Sequence, residues 1–399
     1  MNRFSRQQVY LALVLTLLVL SAAVTLFFGD VMLVDSEEYL FKADNLWKQI
    51  QDPVALSKRP PLYPFVLKVT GVWGAVLLQN LLVILVFWRL VRFLNLKELT
   101  KRQWRLVLLL TFFSLNVFLY ADKVMAEVLS MTALWFLFES IQKRKMWNAV
   151  LLLTLLPFIK PVFLFLPIIL CLVAFFMRTY RGWFAFMLIP FALSLGYMSW
   201  NKHRTGAFEF SSIQHINALH YNKYQFDVYR FGAEYAAEVN DSIKKATENV
   251  PYAEKVEVYN QSFYSDVKSA PFSYLMFHTV GAIRGVIDPG RFDLQFLLPT
   301  TIEEGFAHRE GGVLGYLRSL NPVTILVLIP IALINGVRAL LALIGAWRHR
   351  KQEHVIWAFV IVAYVVGITG PINASRFMVP MVPLLIYLAV IGMSSKAKV

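Results

Sequence analysis

The sequence predicts an all-α polytopic membrane protein of about ten transmembrane helices, with a mixed outer (periplasmic) domain and amphipathic surface helices. Three observations carry that prediction. Of 399 residues, 58% are hydrophobic and 16% charged, with a mean hydropathy of +0.56. Soluble domains carry roughly 45–50% apolar and about 25% charged residues, so this apolar excess cannot be hidden in one water-soluble core. The apolar residues gather in runs near the ~20 residues that a bilayer-spanning helix needs. The basic residues gather at alternate ends of those runs.

The runs are 9–28, 72–91, 106–121, 124–138, 147–159, 162–177, 183–200, 323–347, 355–370 and 377–393. The first continues past the small residues Ser21, Ala22 and Ala23 to Phe28, so it is read as a retained span rather than a cleaved leader. Several runs are short and need a thinned bilayer or polar flanks. The stretch 147–177 is read as a hairpin turning near Lys160 and Pro161. Lys143, Arg144 and Lys145 precede it and Arg178 and Arg181 follow it, so both flanks belong on one side. The segment 271–286 holds His278 and Arg284 and is read as a helix lying on the outer membrane surface. Arg338, near the inner end of its span, is read as a snorkelling residue.

Ten spans place both termini in the cytoplasm. The chain then divides into 1–200 (about seven spans, with a first outer loop at 29–71), an outer soluble domain at 201–322, and 323–399 (about three spans). The inner segments hold eighteen Lys and Arg against three acids, which accounts for the net charge of +14. The basic balance records topology, and a nucleic-acid partner loses its support. One cysteine, Cys171, allows no disulfide within the chain. No repeat, Gly-rich phosphate loop, HExxH or Cys/His metal spacing is present.

Chemistry must therefore come from residues at the outer face. The first outer loop begins Asp35-Ser36-Glu37-Glu38-Tyr39. Tyr39, Ala43, Leu46, Trp47 and Ile50 then recur at helical spacing, as on an amphipathic surface helix. The loop returns through Lys58-Arg59-Pro60-Pro61-Leu62-Tyr63-Pro64. Two uses are open. Asp35 can accept a proton from an attacking hydroxyl while Lys58 and Arg59 neutralise a departing lipid phosphate. Alternatively, Asp35 and Glu38 form a capping box, and the cations bind lipid head groups.

Glu127, Lys160 and Arg376 stand at the outer ends of apolar runs, where ionisable groups are expensive. Lys160 and Arg376 can snorkel, whereas Glu127, with its short stem, points to a polar cavity. Arg376 opens the last helix, where backbone N–H groups also suit a phosphate. His203, His215 and His220 show no ligand spacing. Tyr221, Tyr224, Phe226, Tyr229, Phe231 and Tyr235 suit either sugar stacking or core packing.

In order, these features resemble the GT-C class of membrane glycosyltransferases, in particular the branch of protein O-mannosyltransferases and the lipid A aminoarabinose transferase. Asp35 and Tyr39 match an Asp-x-x-x-Tyr pattern after the first span, while Ser36 departs from the common second acid. The run from Arg59 to Pro64 resembles the basic-Pro segment closing the first loop. Glu127, Lys160-Pro161, and Arg376 with Pro380 and Pro383 resemble later motifs. The resemblance implies transfer, with inversion, of a sugar from a polyprenyl-phosphate donor to a hydroxyl of a glycan, lipid or protein acceptor, on the outer side of a bacterial inner membrane. It implies Asp35 as base, with Glu37, Glu38, Tyr39, Lys58, Arg59, Tyr63, Glu127, Lys160 and Arg376 around the substrates. Some members place an acidic metal ligand just before the basic-Pro segment. Here Ser57 and Lys58 occupy that place and Glu37 or Glu38 is the available replacement, which leaves a divalent cation open. The alternatives are a lipid-linked sugar flippase or transporter, although no related halves are visible, and an enzyme like the O-antigen ligases or polymerases.

Overall fold

The computed structural model describes residues 5–33, 35–46, 52–95, 98–290, 294, 321–372 and 375–394. Among these, every regular element is helical. The first part runs α1 (Arg6–Phe28), α2 (Ser36–Asp44), α3 (Pro53–Lys58), α4 (Leu62–Phe93), α5 (Lys101–Phe112), α6 (Leu115–Ala121), α7 (Glu127–Gln142), α8 (Met146–Ile159), α9 (Leu166–Phe176), α10 (Phe184–Met187) and α11 (Ile189–Thr205). The middle part holds α12 (Ile213–Ile216), a π-helical stretch Asn217–Lys223, α13 (Tyr224–Phe231), α14 (Ala233–Ala246), α15 (Tyr252–Ser269) and α16 (Pro271–Ile287). The last part holds α17 (Pro322–Arg348), α18 (Glu353–Thr369), a 3-10 stretch Ser375–Met381 and α19 (Val382–Gly392).

All ten predicted runs fall on helices. Among the described residues, five helical stretches are long and apolar enough to cross a bilayer alone: Arg6–Phe28, Leu62–Phe93, Arg178–Thr205, Pro322–Arg348 and Ser375–Gly392. A sixth arises if α5 and α6, bent by 47°, count as one span. Three further apolar helices have 10–17 residues. The bent pair turns at Ser114, whose hydroxyl donates to Leu110 O at 2.7 Å. Local Ser back-bonding of this kind bends helices.

Exposed apolar stripes support a bilayer as the surrounding medium. On α4, Val69, Trp73, Leu77 and Leu81 repeat every four residues and all stand exposed. On α17, Leu326, Leu333, Leu340 and Trp347 do the same every seven. Soluble monomers rarely leave such continuous apolar faces uncovered. By contrast, α19 is buried at every residue, as expected of a helix that is hydrophobic all round. It crosses α17 where Gly345 and Gly392 face each other. A Cβ on Gly345 would overlap Leu388 O, and one on Gly392 would overlap Leu341 O. Small residues let helix backbones approach this closely.

Within α4, Gly71 has φ +70° and breaks the helical geometry. The break falls where the first loop is predicted to end. Any other residue would be strained there.

Every regular element among the described residues of the middle part is helical, so no strand is seen in them. The segment 271–286 is a helix, α16. It packs on α17 and α18 and exposes Phe272, Leu275, Met276 and Ile283. In α2, Tyr39 and Ala43 face inward as the spacing predicts; Trp47 and Ile50 lie outside the described residues. Arg338 does not snorkel. It is buried, with Nη1 2.8 Å from Ser114 Oγ and Nη2 2.9 Å from Asn335 Oδ1. The bend between α5 and α6 brings Ser114 to it, so its polar head is satisfied inside the bundle.

Candidate active site

The segment after α1 is stitched to the turn before α7. Val124 N donates to Val31 O at 2.9 Å, and Ser36 Oγ donates to Val124 O at 3.0 Å. Ser36 Oγ also accepts from Leu33 N at 2.8 Å. This fixes the backbone at Asp35, which occupies the N-cap position of α2 without making a side-chain cap. The expected capping box is therefore not formed. The carboxylate is drawn away by two arginines instead. Asp35 Oδ1 lies 2.9 Å from Arg59 Nη2, and Oδ2 lies 2.7 Å from Arg376 Nη1. Asp35 and Arg376 are 341 positions apart in the chain.

Arg59, at the C-cap of α3, reaches two acids. Its Nε donates to Glu38 Oε2 at 2.7 Å, and Lys58 Nζ pairs with Glu38 Oε1 at 2.6 Å. Its guanidinium also sits 4.9 Å from the Tyr39 ring centroid. Tyr39 meets Tyr63 edge to face at 4.9 Å. The Tyr63 hydroxyl donates to Gln79 Oε1 at 2.9 Å, and Gln79 Nε2 donates to Lys123 O at 2.8 Å. The turn before α7 and the first part of α4 are thus tied together beneath Tyr39 and Arg59.

A second pair lies beside the first. Glu127 opens α7 and Lys160 follows α8; Nζ and Oε1 are 2.6 Å apart, and both side chains are buried. Lys160 therefore does not snorkel, and Glu127 faces a buried cation rather than an open polar cavity. Glu127 Oε2 has no hydrogen-bond partner among the described residues. The Phe377 ring is flanked by Lys160 at 4.9 Å and Arg376 at 5.1 Å, which joins the two pairs. Arg376 stands in the 3-10 turn ahead of α19. The adjacent Ser375 N donates to Asp288 Oδ2 at 2.9 Å, so this N–H is engaged by a carboxylate.

The electrostatics follow from this geometry. Burial raises the Asp35 carboxyl, but Arg376, Arg59 and Lys160 together outweigh it and hold the group below the usual carboxylate range. Burial works against the charged form of Arg59, and Tyr39, Asp35 and Glu38 overcome it.

A hollow of about 460 Å³ opens on one flank of the cluster. Glu37, Glu38, Phe41, Asp52, Lys58 and Arg59 are among its walls. Arg59 touches both the hollow and Asp35. All ten sequence-predicted site residues are therefore at or next to one constellation, with Glu37 at its rim. A divalent cation does not fit the described residues. No three of their His, Cys, Asp and Glu side chains converge on a point, and Glu38 is held by two cations.

Sequence reasoning missed Gln79, Asp288 and Glu209. Glu209 accepts from Ser57 Oγ at 2.5 Å across 152 positions. None of these contacts has a local sequence signal. His215 and His220 hold structural contacts, to Asn260 at 3.0 Å and Asn240 at 3.1 Å. Phe226 is buried among Tyr274 and Phe277, while Tyr221, Tyr229, Phe231 and Tyr235 are exposed. Compared with known proteins, the chain matches no family model, no curated protein and no solved structure.

Proposed function

We propose that the protein is an inverting GT-C-type glycosyltransferase with about ten spans, both termini cytoplasmic, and its site on the outer face of a bacterial inner membrane. The observation that carries this reading is the placement of Asp35 between Arg59 and Arg376. A carboxylate clamped by two arginines, at the end of an apolar bundle, suits a phosphate on a greasy carrier.

The acceptor hydroxyl oxygen attacks the anomeric carbon and gives its proton to Asp35. The bond from that carbon to the phosphate oxygen breaks, and the electron pair leaves with the polyprenyl phosphate. Arg59 and Arg376, with Lys58 and Lys160 behind them, neutralise the charge that develops on the leaving oxygen. Fixed cations aimed at developing charge supply the largest catalytic contribution in many enzymes. An arginine can hold two phosphate oxygens at once. Glu38 keeps Lys58 and Arg59 together, and Tyr39 and Tyr63 form the floor beneath Arg59.

The test uses purified protein with a labelled polyprenyl-phosphate sugar. Wild type is expected to cleave or transfer the sugar. Asp35→Asn is expected to lose about 10²–10⁴ in rate while still inserting normally. Movement of the lipid between leaflets without bond cleavage would overturn the enzyme reading, and unchanged turnover in Asp35→Asn would remove the base from Asp35.

A further inference from the structure

The short helix α3 carries Lys58 and Arg59 at its end, and it is held from outside in an unusual way. A helix leaves its last carbonyls without partners. Here, side chains from distant elements take them. Lys42 Nζ donates to Leu56 O at 2.5 Å, Ser212 Oγ to Val54 O at 2.9 Å, and Ser211 Oγ to Lys58 O at 2.6 Å. Ser57 Oγ donates to Glu209 Oε1 at 2.5 Å, and Tyr252 OH to Glu209 Oε2 at 2.7 Å. His215 Nε2 lies 3.1 Å from the same Oε2. The clamp itself is anchored to α11, because Asn201 Nδ2 donates to Glu209 O at 2.9 Å and to Phe210 O at 3.1 Å.

Helix capping explains the serines, but it does not explain the carboxylate. Glu209 is 1% exposed. Burying a carboxylate costs several kcal/mol unless it is well partnered, and Ser57 needs only a neutral acceptor. What the carboxylate adds is a fork. One oxygen holds Ser57, next to Lys58, and the other holds α15 through Tyr252, with His215 of α12 close by at 3.1 Å.

We propose that Glu209 is a positioning residue that sets the register of Lys58 and Arg59 and so couples the middle helical region to capture of an anionic lipid phosphate. This inference rests on the glycosyltransferase reading, in that the anion is the donor's phosphate. Glu209 does not touch the substrate; it acts through α3. Disturbing the fork lets the end of α3 drift and takes Arg59 off its line to Asp35. A misplacement near 1 Å costs about 100-fold in well-oriented systems.

The experiment measures binding of polyprenyl phosphate to the full-length protein in nanodiscs, together with the thermal midpoint of each sample. Glu209→Gln keeps the shape and loses the charge. The expected result is a Kd raised about 10- to 100-fold, the range for losing one charge-assisted contact to the phosphate. In the double variant Arg59→Ala/Glu209→Gln, the further loss beyond Arg59→Ala is expected to be smaller than the loss from Glu209→Gln alone, because part of the effect of Glu209 runs through Arg59. A purely structural role would lower the thermal midpoint, leave binding per folded molecule unchanged, and add its effect to that of Arg59→Ala; any such result overturns the proposal. Should Glu209→Gln not fold, Ser57→Ala carries the same test, with a smaller expected loss of a few-fold. Wild type that binds no polyprenyl phosphate would sink the glycosyltransferase reading and the inference with it. Wild type that binds while Glu209→Gln binds equally well sinks the inference alone.

Discussion

Replacing Arg376 by Gln tests the pairing on which the site depends. The guanidinium lies 2.7 Å from Asp35 Oδ2, with the two side chains 27% and 14% exposed. Breaking a fully buried ion pair costs roughly 3–5 kcal/mol. Two features reduce that figure here: Arg376 is partly solvated, and Arg59 still holds Oδ1. A loss nearer 1.5–3 kcal/mol, the range for a hydrogen bond to a charged group, is expected at neutral pH. Its pH dependence carries the diagnosis. The Asp35 carboxyl is held below its ordinary value, so its contribution to stability is present above the unfolded-state pKa and is lost as pH falls through the folded one. Arg376→Gln removes the largest favourable interaction and raises the folded value toward the unfolded one. The stability difference between wild type and variant should therefore be full at pH 7 and shrink as pH falls below about 4. Thermal melts of detergent-solubilised protein across that range measure it. A difference that stays constant down to the lowest pH would show that Arg376 does not act through Asp35. If the proposed glycosyltransferase reading holds, the same variant should lose about 10²–10³ in sugar transfer, the usual cost of removing one donor to developing charge.

Two further outcomes follow from neighbouring contacts. Glu127→Gln leaves Lys160 buried without its counter-charge and should cost about 3–5 kcal/mol; adding Lys160→Met should recover much of that loss, and strictly additive melts would refute the pairing. Gly345→Leu drives a side chain into Leu388 O and should destabilise by about 1–3 kcal/mol or more, so an unchanged melting temperature would disprove the close crossing of α17 and α19.

The positions of the site residues were legible because charge at the end of an apolar run is costly and therefore conspicuous. Asp35, Glu127, Lys160 and Arg376 all stand out on that ground alone. Their pairings were not legible. Hydropathy is a one-dimensional signal, and Asp35 meets Arg376 only because the bundle closes across 341 positions. Local rules misdirected at two points. A Ser/Asp/Glu cluster before a helix reads as a capping box, yet two arginines compete for the same carboxylate and win. A long basic side chain near a span end reads as snorkelling, yet Ser114 and Asn335 offer Arg338 a nearer solution inside. Span counting shows the same limit. The length of apolar runs located every one of them, but the bend at Ser114 and the burial of α19 on all sides depend on neighbours that a window of sequence does not contain.

The clamp on Asp35 raises a difficulty for the proposed mechanism, and its resolution constrains the order of events. A carboxylate stabilised by two arginines is a weak base, because accepting a proton forfeits both interactions. Four cations, Lys58, Arg59, Lys160 and Arg376, are held by three acids, Asp35, Glu38 and Glu127, and Glu37 stands at the rim, so the cluster is close to charge balance before any substrate arrives. A donor phosphate entering beside these cations competes with Asp35 for the same N–H groups and adds negative charge beside it. Both effects raise the proton affinity of Asp35. On the proposed reading the base is therefore weak in the free protein and is strengthened by the donor itself, so an acceptor hydroxyl that arrives first meets a carboxylate unable to take its proton. On that reading, activation of the acceptor hydroxyl only after the donor is bound follows from the charge arrangement without any moving part.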